Sequence, residues 1–114
     1  PAVPIAFTQG MRHSLSRLCA CVIGASGTGS IVAEQLARLG FGEIILIDFD
    51  RIEARNLDRI LNSTTADAAD GRLKVEMLKD AIRRYSPECR VHPVPESIAT
   101  RDAILAACEA DVLF

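Results

Sequence analysis

The sequence predicts an α/β fold: a doubly wound, mainly parallel sheet with helices on both faces. Three observations carry that prediction. Two short apolar runs, CACVI at 19–23 and EIILID at 43–48, have the length and β-branched content of strands buried on both sides. Between them lie a glycine-rich turn and an amphipathic stretch, so strand, turn, helix and strand follow within about 30 residues, the length and order of a right-handed βαβ unit. The alternation of helical and strand patterns then continues to Phe114.

Taken in order, Phe7, Met11, Leu15 and Leu18 recur at helical spacing and predict a short amphipathic helix, with Pro1 and Pro4 keeping the arm before it extended. Residues 1–18 are therefore read as an arm and helix, and 19–114 as the main domain. After CACVI, the positions Val32, Leu36 and Leu39, with Ala33 and Ala37 beside them, mark a helix from Gly27 that Gly40 can close. Beyond Asp48 runs a polar stretch, DFDRIEARNLDRILNSTTADAADG, too long for an ordinary connection of about 2–6 residues. A loop of that length in a compact domain usually carries function. Val75, Leu78, Ile82 and Tyr85 then line one face of a second helix, which Pro87 ends. CRVHPV is a third strand. Thr100 and Asp102 start a helix through Cys108 with Ala103, Ile104 and Ala107 as its apolar side, and DVLF begins a fourth strand. No polar turn follows DVLF, so the sequence reads as the N-terminal part of a larger domain.

Composition narrows the function. The 114 residues, 49% hydrophobic and 25% charged, are those of a globular chain and not of a disordered or collagen-like one. Thirteen basic residues against fifteen acidic give a net charge of -2, which offers no electrostatic case for nucleic acid or a membrane surface. No apolar run approaches the roughly 20 residues of a membrane span, and no signal-peptide layout opens the chain, so a cytoplasmic location is expected. The four cysteines, Cys19, Cys21, Cys89 and Cys108, form neither a C-x-x-C pair nor a disulfide framework, and are read as reduced.

Chemistry gathers first at GASGTGS, Gly24–Ser30. A glycine-rich turn between a strand and a helix start presents free backbone N–H groups and the positive end of the helix dipole, which together bind phosphate. Gly24 and Gly29 hold the outer fingerprint positions and Gly27 adds flexibility. Ser26 stands where the second glycine lets a pyrophosphate approach closely. The alternative is a tight turn that holds no ligand. Asp48 follows Gly29 by 19 residues at the end of the second strand, the place of a carboxylate that accepts hydrogen bonds from ribose hydroxyls. Asp50 either shares that site or is a solvated loop acid. To this point a nicotinamide dehydrogenase fits as well as anything else.

Asn56, Arg59 and Lys74 change the balance, because they add an amide and two cations at the same end of the sheet. A dinucleotide does not need them. A triphosphate does, since its β and γ phosphates carry most of the charge and depart if the α-phosphorus is attacked. Taken singly, each cation also reads as a solvated surface residue.

GASGTGS, IDFDRIEARNLDR at 47–59 and DGRLK at 70–74 together resemble, in order and spacing, the nucleotide motifs of the ThiF/MoeB/HesA family, relatives of ubiquitin-activating E1 enzymes. The resemblance runs from about Cys19 to Phe114. It implies a Rossmann-like domain that binds ATP and magnesium and adenylates the C-terminal carboxylate of a small protein or peptide, commonly a ubiquitin-like sulfur carrier, within a homodimer. By motif, Gly24, Gly27 and Gly29 shape the phosphate turn, Asp48 holds the ribose, and Asn56, Arg59 and Lys74 face the triphosphate, with Arg59 and Lys74 as the catalytic candidates. Two departures stand out: Ser26 replaces the family's usual glycine, and Ile60 follows NLDR where many members have glutamine. The family's magnesium-binding aspartate comes after the fourth strand, beyond Phe114, as do the catalytic and zinc-binding cysteines of members that have them. Arg12 and Arg17 have no motif match to the arginine that family dimers share across subunits. A nicotinamide-dependent oxidoreductase domain and a non-catalytic nucleotide-binding scaffold remain as alternatives.

Other residues are set aside on the sequence. Cys19 and Cys21 share one face of a buried strand and are expected to pack against a helix. His13 and His92 show no acid, cysteine or second histidine at ligand spacing. Arg83 and Arg84 meet the negative end of their own helix dipole.

Overall fold

The computed structural model describes residues 9–114 of the chain. The expected extended arm and the Phe7 end of the first helix lie outside those residues. The chain folds in the order α1 (Gln9–Leu15), β1 (Cys19–Ile23), α2 (Gly27–Leu39), β2 (Glu43–Ile47), a 3-10 turn (Ala54–Asn56), α3 (Thr65–Asp70), α4 (Lys74–Tyr85), β3 (Arg90–Val94), α5 (Arg101–Cys108) and β4 (Val112–Leu113). The four strands form one parallel sheet in the order β3-β2-β1-β4. The chain thus builds outward from β1 to β3 and then crosses back to the other side of β1, which is the doubly wound arrangement.

The period of two along each strand sorts the core into two layers. Ala20, Val22, Ile44 and Leu46 face α2 and α4, where Ala33, Leu36, Leu78 and Ile82 complete a buried cluster. Cys19, Cys21, Ile45 and Ile47 face the other way, onto Ala103 and Ala107 of α5. The packing expected for Cys19 and Cys21 is therefore met. All four cysteines are free, and burial is the main reason that the Cys19 thiol is pushed up to about 11. Gly40 closes α2 in the left-handed conformation.

Three expectations need correction. Ile104 is 48% exposed. Ala103 and Ala107, one helical repeat apart, take the sheet-facing line, and Ile104 sits about 100° around the helix from Ala103. In the first helix, α1 ends at Leu15, so Leu18 reaches the core from the turn after it, and Met11 is exposed. His92 does have a paired acid: its Nε2 lies 2.7 Å from Oε2 of Glu43, whose Oε1 accepts from Arg90 at 3.2 Å. Parallel pairing of β2 with β3 brings together residues 49 apart, which sequence spacing does not display. Burial disfavours ionised Glu43, but the hydrogen bonds and charges of Arg90 and His92 outweigh it and hold the carboxyl below its usual range.

Candidate nucleotide-binding site

The carboxyl ends of β1 and β2 lead directly into the two motifs. After Ile23 the chain turns at Gly24, whose φ of 94° is open to few residues other than glycine, and enters α2 at Gly27. Gly29 is required for a different reason. A Cβ there would stand 1.7 Å from the carbonyl oxygen of Gly24, so α2 begins pressed against the end of β1. The expected phosphate turn is thus a tight strand-to-helix corner with its N–H groups at a helix start. Ser26 is the residue before α2, and its side chain makes no cap hydrogen bond to the helix.

Asp48 lies across from that corner. Its Oδ2 accepts from the N–H of Ala25 at 2.7 Å and its Oδ1 from the N–H of Asp50 at 2.8 Å. The carboxylate therefore ties the end of β2 to the turn, and each oxygen keeps a further lone pair for a ligand hydroxyl. A cavity of about 210 Å³ opens beside it, walled by Ile23, Ile47, Phe49 and Ile98 with Asp48 and Glu96 among its polar groups. A larger hollow, about 730 Å³, lies at the opposite end of the sheet around Arg12, Arg38, Tyr85 and Arg90. Size alone does not locate the site, because that hollow touches neither motif.

The polar segment after Asp48 is neither a strand nor an open loop. The N–H of Ile52 donates to Arg72 O at 2.8 Å and the N–H of Lys74 to Asp50 O at 3.0 Å, so 50–52 and 72–74 run side by side. That pairing carries Lys74 across 24 residues to Asp50, where Nζ lies 3.3 Å from Oδ2. Lys74 is 5% exposed and Asp50 is half exposed, so the cation is a buried, paired group and Asp50 is more than a solvated loop acid. Asn56 is buried too. Its Oδ1 accepts from the N–H of Glu53 at 3.0 Å and shapes the 3-10 turn.

Arg59 follows that turn and lies over the glycine corner: a Cβ added at Gly27 would meet its Cδ at 3.5 Å. Its guanidinium is half exposed, with an exposed Asp58 oxygen 3.9 Å away, a pairing of little energetic weight. Sequence reasoning missed Ser30, Phe49 and the loop at 96–98. Ser30 is fully buried, donates to Gly27 O at 2.9 Å and accepts from the N–H of Leu61 at 3.1 Å. A lone serine in a helix gives no sequence signal for that. The loop after β3 was accessible in principle, since the carboxyl ends of parallel strands share one edge of the sheet. Among the described residues, no three histidine, cysteine, aspartate or glutamate side chains gather as a metal site.

A glycine corner at a helix start, a carboxylate at the end of the neighbouring strand and two nearby cations define a nucleotide-binding α/β domain of the Rossmann-like class. The comparisons carry this further. The model of the ThiF family matches residues 3–114, and the chain belongs to that family. The match begins well before Cys19, so it takes in residues of the N-terminal arm as well. Among the relatives, the tRNA threonylcarbamoyladenosine dehydratase of Haemophilus influenzae is 40% identical over 69% of this chain and 30% of its own length. The molybdopterin-synthase adenylyltransferase of Escherichia coli is 36% identical over 79% of this chain and 34% of its own. Ubiquitin-like modifier-activating enzyme 5 of Caenorhabditis elegans is 35% identical over 71% of this chain and 19% of its own. The structure of Escherichia coli MccB with ATP superposes with a TM-score of 0.81 at 31% identity, over 90% of this chain and 30% of that one. The chain spans about a third, or less, of the length of these relatives.

Proposed function

We propose that this chain is the nucleotide-binding part of an E1-like enzyme that uses ATP to adenylate the C-terminal carboxylate of a ubiquitin-like or sulfur-carrier protein or of a peptide. The observation that carries the reading is the two cations that the 48–74 segment brings to the motif end of the sheet: Arg59 over Gly27, and Lys74 paired with Asp50, whose N–H donates to the Asp48 carboxylate. A single pyrophosphate bridge gives Arg59 no charge to meet and leaves Lys74 only its pairing with Asp50. The ATP-bound MccB structure supports the choice of nucleotide, and a second structure of that enzyme with MccA supports a peptide as one form of substrate. The names of the relatives point to different acceptors, and that of the molybdopterin-synthase adenylyltransferase supports adenylyl transfer as the step proposed for this chain.

In this reading Asp48 accepts from the ribose hydroxyls and the corner N–H groups hold the phosphates, with Ser26 at its edge. A substrate carboxylate oxygen attacks the α-phosphorus, forming an acyl–phosphate bond as the bond to the β-phosphate oxygen breaks. Pyrophosphate leaves with the bonding electrons. Arg59 and Lys74 stabilise the charge that grows on it, and Asn56 and Asp50 hold the segment that presents them. Magnesium would neutralise the triphosphate, its ligand expected beyond residue 114. The whole protein is proposed to be a cytoplasmic homodimer. Among the described residues no helix is long and apolar enough to cross a membrane.

ATP–pyrophosphate exchange by the complete protein, run against small proteins ending in diglycine, short peptides and tRNA, tests this. Exchange that depends on a protein or peptide carboxylate is expected. Exchange driven by tRNA instead, or calorimetric binding of NAD as tight as ATP with magnesium, would overturn the reading.

A further inference from the structure

Among the described residues, Arg59 pairs only weakly: its guanidinium is half exposed and its carboxylate neighbour there is the adjacent Asp58 at 3.9 Å, so that pairing does not fix where the charge sits. Its stem crosses Gly27. Two residues on, the N–H of Leu61 donates to the hydroxyl of Ser30, and that hydroxyl donates in turn to Gly27 O, the same glycine under the arginine. One buried oxygen therefore joins the first turn of α2 to the backbone that carries Arg59. Asn62 adds a second tie to α2, from Nδ2 to Glu34 Oε1 at 3.1 Å, but it is exposed.

We propose that Ser30 is a positioning residue for the adenylation step: its hydroxyl clamps the 59–61 backbone to the phosphate turn and so fixes the Arg59 guanidinium over the nucleotide phosphates. The proposal rests on the reading that Arg59 acts on the triphosphate. Ser30 itself is fully buried with its donor and an acceptor site both used, so it acts through Arg59 and not on the nucleotide. Removing the hydroxyl leaves the Leu61 N–H without a partner and the arginine's backbone without its tie to the phosphate turn. Ile60 in the core and the Arg59 and Ile60 N–H groups on Asn56 O still hold the segment, so the expected loss is positional. The glycine corner, with Gly29 against Gly24 O, keeps its shape.

The test is a double-mutant cycle in the complete protein with Ser30→Ala, Arg59→Ala and both together, read by pyrophosphate exchange and by amide hydrogen exchange. Ser30→Ala is expected to lower kcat about tenfold with little change in KM for ATP, to speed exchange of the Leu61 amide, and to add nothing once Arg59 is alanine. Ser30→Cys, which keeps a weak donor and acceptor in the same place, should recover part of the rate. Equal losses in the two backgrounds would overturn the proposal, since Ser30 would then act independently of Arg59. An unchanged Leu61 amide would overturn it as well. If Arg59→Ala alone leaves exchange intact while Ser30→Ala still frees the Leu61 amide, the role of Arg59 in the proposed function fails and the clamp on the backbone stands.

Discussion

The glycine corner at 24–30 and the polar segment at 48–74 meet at one end of the sheet, yet the balance of local and distant ties that holds them there differs. The corner is fixed mostly by close approaches within itself, Gly29 against Gly24 O and the Ser30 N–H on Ser26 O, and by its two bonds to the adjacent end of β2, Gly24 N–H to Ile47 O and Ala25 N–H to Asp48 Oδ2. The segment hangs on distant ties: Ile52 to Arg72, Lys74 to Asp50, Leu61 to Ser30 and Asn62 to Glu34. The difference separates two tasks. A rigid local corner supplies N–H groups at fixed positions, whereas the cations ride on a longer piece of chain that is anchored in the core at Ile52 and Ile60 and tied by hydrogen bonds around those anchors. The exposed stretches between such anchors open at lower free energy than the core.

The largest effect should come from breaking the corner. Gly29→Ala forces a Cβ to within 1.7 Å of a backbone oxygen, and neither partner is a flexible side-chain end. A loss of at least about 3 kcal/mol in denaturant unfolding is expected, together with loss of ATP binding. Gly27→Ala is the control two residues away. Its Cβ would make ordinary contact with the Arg59 stem, so stability should change by less than about 1 kcal/mol. Similar losses in both variants would show that the corner is not set by that one close approach.

Next in size are the cations. Arg59→Ala is expected to slow pyrophosphate exchange by the roughly 2.7–4 kcal/mol typical of losing one transition-state charge stabiliser, with an unfolding midpoint close to wild type because the side chain is half exposed. Lys74→Ala should cost a similar amount in rate and also measurable stability, since it empties a buried position and leaves Asp50 unpaired. The two variants thus separate a cation held by chain geometry from one held by burial. Equal stability in both, by thermal unfolding, would remove that distinction.

How legible each region was in the sequence follows the same division. The corner could be read from GASGTGS because the close approach of Gly29 to Gly24 acts between residues a few apart, where sequence order and spatial order coincide. Asp48 was legible for the same reason, as the end of an apolar run. The segment was readable only as a list of residue types. Nothing local announces that 50–52 pairs with 72–74, that Lys74 is buried or that Ser30 reaches Leu61, because each depends on where the sheet and α2 bring the chain back. His92 and Glu43 were missed in the same way, and Ile104 was misplaced because an eight-residue helix contains too few turns to fix which face is buried.

A smaller effect is expected at Ser26. Its side chain makes no cap bond, so Ser26→Gly should leave stability within about 0.5 kcal/mol and tighten ATP binding by opening the backbone to the phosphates. Calorimetry checks it. Markedly weaker binding would mean that the Ser26 hydroxyl is itself a phosphate ligand.

The last test sharpens the contrast through pH. Asp67, in the polar segment, is buried, which disfavours its charge, but hydrogen bonds from the Thr64 hydroxyl and N–H and from Arg72 outweigh burial and hold its carboxyl below the usual value of 3.8. Arg72, two residues before α4, also pairs with Asp80 in the middle of that helix, so the Asp67 carboxylate helps to join α3 to α4. A folded value below the unfolded one means that ionised Asp67 stabilises the fold above about pH 4 and that this contribution fades as pH falls through the lowered value. The direct comparison is wild type against Asp67→Asn in denaturant unfolding. The variant should be less stable at neutral pH, and the gap should close as pH falls below 3.8. Glu43 is also held low, but at the other end of the sheet and in both proteins, so it cancels from the difference. Amide exchange should show the asymmetry directly: on acidification the Arg72 N–H, which donates to Asp67 O, loses protection before the Ser30 N–H of the corner. A stability gap that does not change with pH would mean that the Asp67 charge contributes nothing to holding the segment, and that its hydrogen bonds act as neutral ones.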